Sequence, residues 1–259
     1  MPYILEICEA GKITEVSKYH SARFPGRVKG EQRGKRVEAS QETQRRINQR
    51  LAAKRLRWLL NANFQDGDYL LTFTYRPEER PSDSKEMGKD ISRSIRKLRR
   101  FFDRHGAEMK YVYVKEIGKR GAAHIHMVLN RCGDGSITDI LRECWDKGYV
   151  KVELLGSNGQ YAAVAEYFIK YAEKTVETEG KLTGKRWNPS RNLVHPKPVK
   201  KVIRNVRSFY TAVKVPAGYY LEPDSVLQGF TREGFDYFSY SLHKIDRKNK
   251  GKQRRGGHT

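Results

Sequence analysis

The chain has no run of about eighteen apolar residues, the length a helical membrane span requires, so nothing in it reads as an integral membrane segment. Its opening stretch, MPYILEICEAGK, lacks a basic leading region, and Glu6 and Glu9 interrupt the apolar run, so it is not read as a signal peptide. Cysteine is scarce. Cys8, Cys132 and Cys144 are odd in number and show no CxxC spacing, which argues against a zinc ribbon or a disulfide framework. They read as reduced, small, buried side chains in a cytoplasmic protein. No G-x-x-x-x-G-K-[ST] occurs, so a fused P-loop motor is excluded, and no internal repeat is visible. Acidic charge is also thin: 30 Asp and Glu stand against 52 Lys and Arg, a formal net charge of +22.

Such an excess points to a polyanionic partner, most often nucleic acid, because neutralising phosphates releases condensed counterions. An anionic membrane surface would require an amphipathic anchor or a lipidation site, and neither is present. Residues 1–40 read as a basic N-terminal arm, irregular from 11 on. Residues 41–64 carry Ile47, Leu51, Leu56, Leu59 and Leu60 at helical spacing behind Ser40, a good N-cap. The rest of that helix presents Arg45, Arg46, Arg50, Lys54, Arg55 and Arg57, either a solvated face or a phosphate-tracking, DNA-binding one.

Next come DYLLTFTYR (68–76) as a strand, a helix at 84–105, strands at 109–118 and 122–130 joined by a hairpin at GKRGA, a short helix at 136–148, a strand at 149–155 and a helix at 159–177. The order β-α-β-β-α-β predicts an α+β fold: a ferredoxin-like split βαβ antiparallel sheet with helices on one face. A further helix, carrying tyrosines, lies across the other face. The domain is expected to span 41–180. An accessory C-terminal region (181–243) and a basic disordered tail (244–259) follow, and His195 reads as a loop residue.

Two constellations carry chemistry. In AAHIHMVLN, His124 and His126 are two apart and so share one strand face, with Ile125 on the other. An HxH pair is either a metal-binding pair or an exposed face that happens to carry histidine. Glu116, across the predicted hairpin, can complete a cluster of one carboxylate and two imidazoles that leaves open positions on Mg²⁺ or Mn²⁺. Alternatively, it is a surface carboxylate beside Lys115 or Lys119. In YFIKYAEK (167–174), Tyr167 and Tyr171 are four apart, as are Lys170 and Lys174, so each set shares a helix face. Aromatics at that spacing are commonly core. A phenol is a poor nucleophile until deprotonated, and neighbouring cations assist that loss.

Together, HIH at 124–126, Glu116 upstream and a tyrosine-bearing helix downstream resemble the HUH endonucleases, the rolling-circle replication initiators. LLTFTY (70–75) looks like that family's first motif. The doubled tyrosine is similar to the gene A initiators of small single-stranded-DNA phages, and RRINQRLAAKRLRWLLNANF to the lead-in of related phage and plasmid initiators. The resemblance covers residues 41–177. It implies a nickase that attacks single-stranded origin DNA, forms a 5′-phosphotyrosine, frees a 3′-OH and rejoins the strand after a round. By position, Tyr167 and Tyr171 would be nucleophiles, Lys170 and Lys174 would steady phosphate or phenolate, and Glu116, His124 and His126 would hold the divalent metal. It implies a host helicase and DNA polymerase as partners, no membrane, and a bacterial host cytoplasm, with a phage or plasmid as the source. Competing readings are an HUH transposase or relaxase, disfavoured by the tyrosine order and number, and a non-catalytic basic protein that binds single strands.

Overall fold

The computed structural model describes residues 3–21, 40–118, 121–133, 137–156, 159–180, 185–204, 209, 213–230 and 234–245. The chain divides into two compact units, Ala39–His195 and a second built from Met1–Glu38 with Pro196–Thr259.

In the first unit, helix α1 (Gln41–Asn63) starts at Ser40, whose hydroxyl accepts the Thr43 N–H at 3.2 Å. Strand β3 (Tyr69–Tyr75) leads into α2 (Ser84–Arg104), capped by the Asp83 carboxylate. Then follow β4 (Tyr111–Ile117), β5 (Ala123–Leu129), α3 (Ile137–Cys144), β6 (Gly148–Leu154), α4 (Ala162–Glu179) and the two-residue β7 (Asn188–Pro189). The sheet order is β6-β3-β5-β4-β7 with every pairing antiparallel, the α+β split βαβ arrangement expected from the element order.

Strand alternation sorts the core into two layers. Leu71, Phe73, Ile125 and Met127 face one side and pack with Ile91, Leu98 and Phe102 of α2 and Leu141 of α3. Val112, Val114 and Val128 face the other, against Leu56 and Leu60 of α1 and Ala165, Phe168 and Ile169 of α4. Each such side chain, fully buried, contributes about 1.5–3 kcal/mol of transfer free energy, so the two layers hold the sheet in register against slippage. Gly148 lets β6 approach β3 closely: a Cβ there would fall inside the van der Waals radius of the Thr74 carbonyl oxygen. The three cysteines are free and buried. Among the described residues, no helix is long and apolar enough to cross a membrane.

Three expectations need correction. Residues 1–40 are not an irregular arm throughout: β1 (Tyr3–Ala10) and β2 (Ile13–His20) form a hairpin that turns at Gly11, with φ of 63°. Its alternation is masked in the sequence because Glu6 shares the buried side with Ile4 and Cys8. That hairpin joins β8 (Val199–Ile203), β9 (Tyr219–Leu221), β10 (Leu227–Phe230) and β11 (Asp236–Lys244) in a second sheet, ordered β10-β11-β2-β1-β8, with β9 against β11. The accessory region is therefore strand-built with the chain's beginning, and its last strand runs to Lys244. The rest of the arm, from 22 to 39, and the tail from 246 on lie outside the described residues. The first unit also extends past the expected boundary at 180. The Ser190 N–H donates to the Tyr111 carbonyl at 2.8 Å, the Tyr111 N–H donates to Ser190 Oγ at 3.1 Å, and Leu193 is buried in the core. A Lys-, Gly- and Pro-rich stretch conceals an edge strand whose bonds are made by backbone.

Candidate active site

The register of three strands builds the floor of the site. Thr72 lies opposite His126, Thr74 opposite His124, and His124 opposite Glu116, so five polar side chains from β3, β5 and β4 emerge on the face that α4 covers. Both histidines are held from below: Thr72 Oγ1 lies 3.2 Å from Nδ1 of His126, and Thr74 Oγ1 lies 3.1 Å from Nδ1 of His124. His126 is 3 % exposed, and its Nε2 meets Glu116 Oε2 at 2.9 Å. The other carboxylate oxygen accepts from Lys174 Nζ at 2.6 Å.

Helix α4 lays its tyrosines over this floor. The Tyr171 ring stacks on His126 with centroids 4.1 Å apart and planes 13° from parallel. Tyr167 stands edge-on to both, 4.1 Å from Tyr171 and 5.4 Å from His126. Lys174 Nζ sits over the Tyr171 ring at 4.6 Å, a cation–π contact that joins the helix's lysine to its own tyrosine one turn back. Tyr167 remains 42 % exposed, and Lys170 is exposed on the same helix. The structure thus brings together Glu116, His126, Tyr167, Tyr171 and Lys174, places His124 beside them on the strand, and leaves Lys170 at the surface.

The axial position of α4 is set by side chains that complete β4. Thr175 Oγ1 accepts the Ile117 N–H at 3.0 Å and donates to the Lys115 carbonyl at 2.9 Å. Thr178 Oγ1 donates to the Ile117 carbonyl at 2.9 Å. These hydroxyls satisfy strand-edge groups that β7 does not reach. They fix Tyr171 and Lys174 relative to Glu116. At the end of the helix, the Glu179 carboxylate accepts from the Ser84 N–H and hydroxyl at the start of α2, at 2.6 and 2.8 Å.

The electrostatics follow from this enclosure. Burial pushes the Glu116 carboxyl up, but the hydrogen bonds from His126 and Lys174 and their charges outweigh it and hold it below the usual carboxylate range. Burial lowers His124, Glu116 partly opposes that, and the charges of His126, Lys174 and Arg80 lower it further, so its ring is neutral at neutral pH. Burial raises the Tyr171 phenol well above its ordinary value, helped by a hydrogen bond to Tyr167 and by the Tyr167 and Glu116 charges.

The donor set of one carboxylate and two imidazoles suits a divalent cation with mixed oxygen and nitrogen ligands. Both Nδ1 atoms are engaged by threonines, which leaves Nε2 as the nitrogen each ring can present and supplies the outer-shell support such ligands need. As drawn together, however, Glu116 and His126 bond each other. Among the described residues, no group of three or more His, Cys, Asp or Glu side chains is gathered as for an ion.

The six basic residues of α1 meet different fates. Arg45 bridges to α4, its guanidinium bonding Glu173 at 3.1 Å and Glu177 at 2.7 Å, while its side chain remains partly exposed. Arg46 pairs with Glu42 at 2.5 Å on the surface. Lys54 lies over the Trp58 ring at 4.9 Å. Arg50 and Arg55 are exposed and Arg57 is half-buried. Sequence reading missed Thr72, Thr74 and Thr175. The first two were visible as a T-x-T pair on the polar side of LLTFTY, the same period-two signal that singled out the histidines. Thr175 left no such mark, because its role depends on which strand edge the helix reaches.

Residues 68–176 match the family model for the replication-associated protein ORF2/G2P. That segment runs from the start of β3 to near the end of α4 and holds every side chain of the cluster. No curated protein and no solved structure matches the chain. The match supports a replication-associated protein of the Rep type.

Proposed function

We propose that the chain is a replication initiator that nicks single-stranded origin DNA by tyrosine attack and later rejoins the strand. The observation that carries this reading is the placement of two phenols, Tyr167 and Tyr171, over a buried Glu116–His126–Lys174 network, all inside the segment that matches the replication-associated family.

In the nicking step a phenol loses its proton and its oxygen bonds to the scissile phosphorus. The P–O3′ bond breaks, and the 3′ oxygen takes up a proton to leave as a hydroxyl from which a host polymerase can extend. The product on the protein is a 5′-phosphotyrosine. Tyr167 is the first nucleophile in this scheme, because it is the solvent-exposed phenol of the pair. Tyr171, kept neutral by burial and by the Glu116 charge, is held for the second transfer, which resolves the first linkage after a round. Lys174 fixes Glu116 and places a cation against the tyrosine pair, while the exposed Lys170 meets the incoming phosphate. Glu116, His124 and His126 would hold Mg²⁺ or Mn²⁺, which when bound polarises the phosphate and offsets charge on the leaving oxygen. A chain without a P-loop leaves unwinding to a host helicase.

The test is incubation of the protein with Mn²⁺ or Mg²⁺ and oligonucleotides tiled across the replicon's origin. Covalent protein–DNA adducts are expected, and they should vanish in the double variant Tyr167→Phe/Tyr171→Phe. Adducts that persist there would remove the tyrosines from the mechanism. His124→Ala should abolish cleavage while DNA binding is retained. Oligonucleotide binding by the wild type with no adduct under either metal would favour a binding-only protein.

A further inference from the structure

A second feature of the Ala39–His195 unit takes no part in the tyrosine site. Between α1 and the segment that follows the tyrosine helix lies a cleft of about 520 Å³. One wall is a stripe of α1, in which Leu51, Ala52 and Arg55 follow one another at helical spacing; Leu51 is 48 % exposed there and offers apolar surface to the cleft. Lys185, Trp187 and His195 form the opposing side. Among the described residues, no carboxylate lines it. Arg186, also at its edge, is tied to Glu173 at 3.0 Å, and Glu173 also binds Arg45 of α1, so the cleft's walls are braced through the helix that carries Tyr167 and Tyr171. A larger neighbouring cleft, about 640 Å³, differs from it: Asp103 and Glu108 there offset Arg99 and Arg191, so its lining lacks the uniformly cationic rim of the first.

We infer that the first cleft is a nucleotide subsite, in which an unpaired base of single-stranded DNA stacks on Trp187 while Arg55 and Lys185 contact its flanking phosphates. An apolar floor with one large aromatic ring and cations on opposite rims is the chemistry that binds single strands without needing to read sequence. The volume lies within the range of small-ligand pockets. Duplex DNA is the wrong shape for it, since its bases are stacked on each other and present only their edges. The subsite rests on the proposed function for its ligand, single-stranded DNA, but not on the nicking chemistry. It would hold the strand at a distance from the bond being cut, beyond the tyrosine helix.

The experiment uses the full chain, with divalent ions removed by chelator so that binding is read without cleavage. The probe is a short single-stranded oligonucleotide carrying one iododeoxyuridine, photocrosslinked and mapped by mass spectrometry, alongside its equilibrium affinity. The expected crosslink falls on Trp187. Trp187→Ala should weaken binding roughly ten-fold, the effect of losing one base–aromatic stack, while Trp187→Phe should restore most of it. Arg55→Gln should weaken binding and flatten its salt dependence. Because Trp187 also packs against the core, the wild-type crosslink decides the matter if the alanine variant fails to fold. Crosslinks confined to other residues, with Trp187→Ala folded and binding as wild type, would overturn the subsite. Equal competition by a hairpin duplex would overturn it too. Adduct formation in the presence of metal separates the two readings: adducts without a Trp187 crosslink leave nicking standing and remove the subsite, and a Trp187 crosslink without adducts does the reverse.

Discussion

At Glu116 two opposing demands meet on one carboxyl group. It is buried, which favours the neutral acid, yet it accepts from His126 on one oxygen and Lys174 on the other, which favours the anion, and the anion prevails. A carboxyl whose folded pKa lies below its unfolded one adds stability at every pH above the unfolded value, near 4.5, and that contribution is lost as pH falls through the folded value. Denaturant melts across the acid range should therefore show a loss of stability in the wild type that Glu116→Gln lacks. At neutral pH the glutamine should be less stable by about 1–3 kcal/mol, because Lys174 and His126 lose a charged acceptor. Tyr171 has the opposite sign. Its phenol is raised, so its contribution is complete below the unfolded value and disappears as pH climbs past about 10; Tyr171→Phe should flatten the alkaline limb of the same melts. The two tyrosines should also separate in function. Tyr167→Phe is expected to lose the first adduct, whereas Tyr171→Phe keeps it and fails to release a rejoined strand, as read by gel in single-turnover conditions.

Helix α4 is the element on which the site depends, and threonine hydroxyls attach it to β4. Thr175→Val keeps the shape but strands the Ile117 N–H in a buried place, at an expected cost of about 1–3 kcal/mol. Faster hydrogen exchange at Ile117, together with a lower denaturation midpoint, would report it; unchanged exchange would mean that the helix is positioned by its apolar contacts alone. Much at this scale was legible in the sequence. Period-two alternation locates β3 and β5, helical spacing locates α2 and α4, and the HxH pair with Glu116 marks the face from sequence alone. What stayed hidden has physical reasons. The β1–β2 hairpin buries Glu6 and Glu15 together with apolar residues, so its alternation does not read as hydrophobic and polar. β7 is two residues long and is defined by backbone bonds that leave no side-chain pattern. Arg45 looked like its basic neighbours, since a surface charge reveals its partner only once α1 and α4 are packed.

Across the whole molecule, every side chain of the candidate site and of the nucleotide cleft lies within Ala39–His195. A chain of residues 39–195 is therefore expected to form the covalent adduct without the second unit. Should it fold cooperatively yet make none, the second unit would have to contribute to the reaction. The net charge of +22 predicts affinity for single strands that falls steeply with salt, with a slope of log K against log salt of about −0.7 for each phosphate neutralised. The most direct measurement of the central proposal uses the chain's own trypsin sites. Cleavage after Lys151, Lys170 and Lys174 places Tyr167 and Tyr171 in separate peptides, 152–170 and 171–174. After reaction with origin DNA and nuclease digestion, mass spectrometry should find a nucleotide 5′-phosphate on the 152–170 peptide, fragmenting to Tyr167 rather than Tyr161. A modified Tyr171 is expected only once strand transfer has occurred. Unmodified forms of both peptides, from a protein that has cut its DNA, would contradict tyrosine attack.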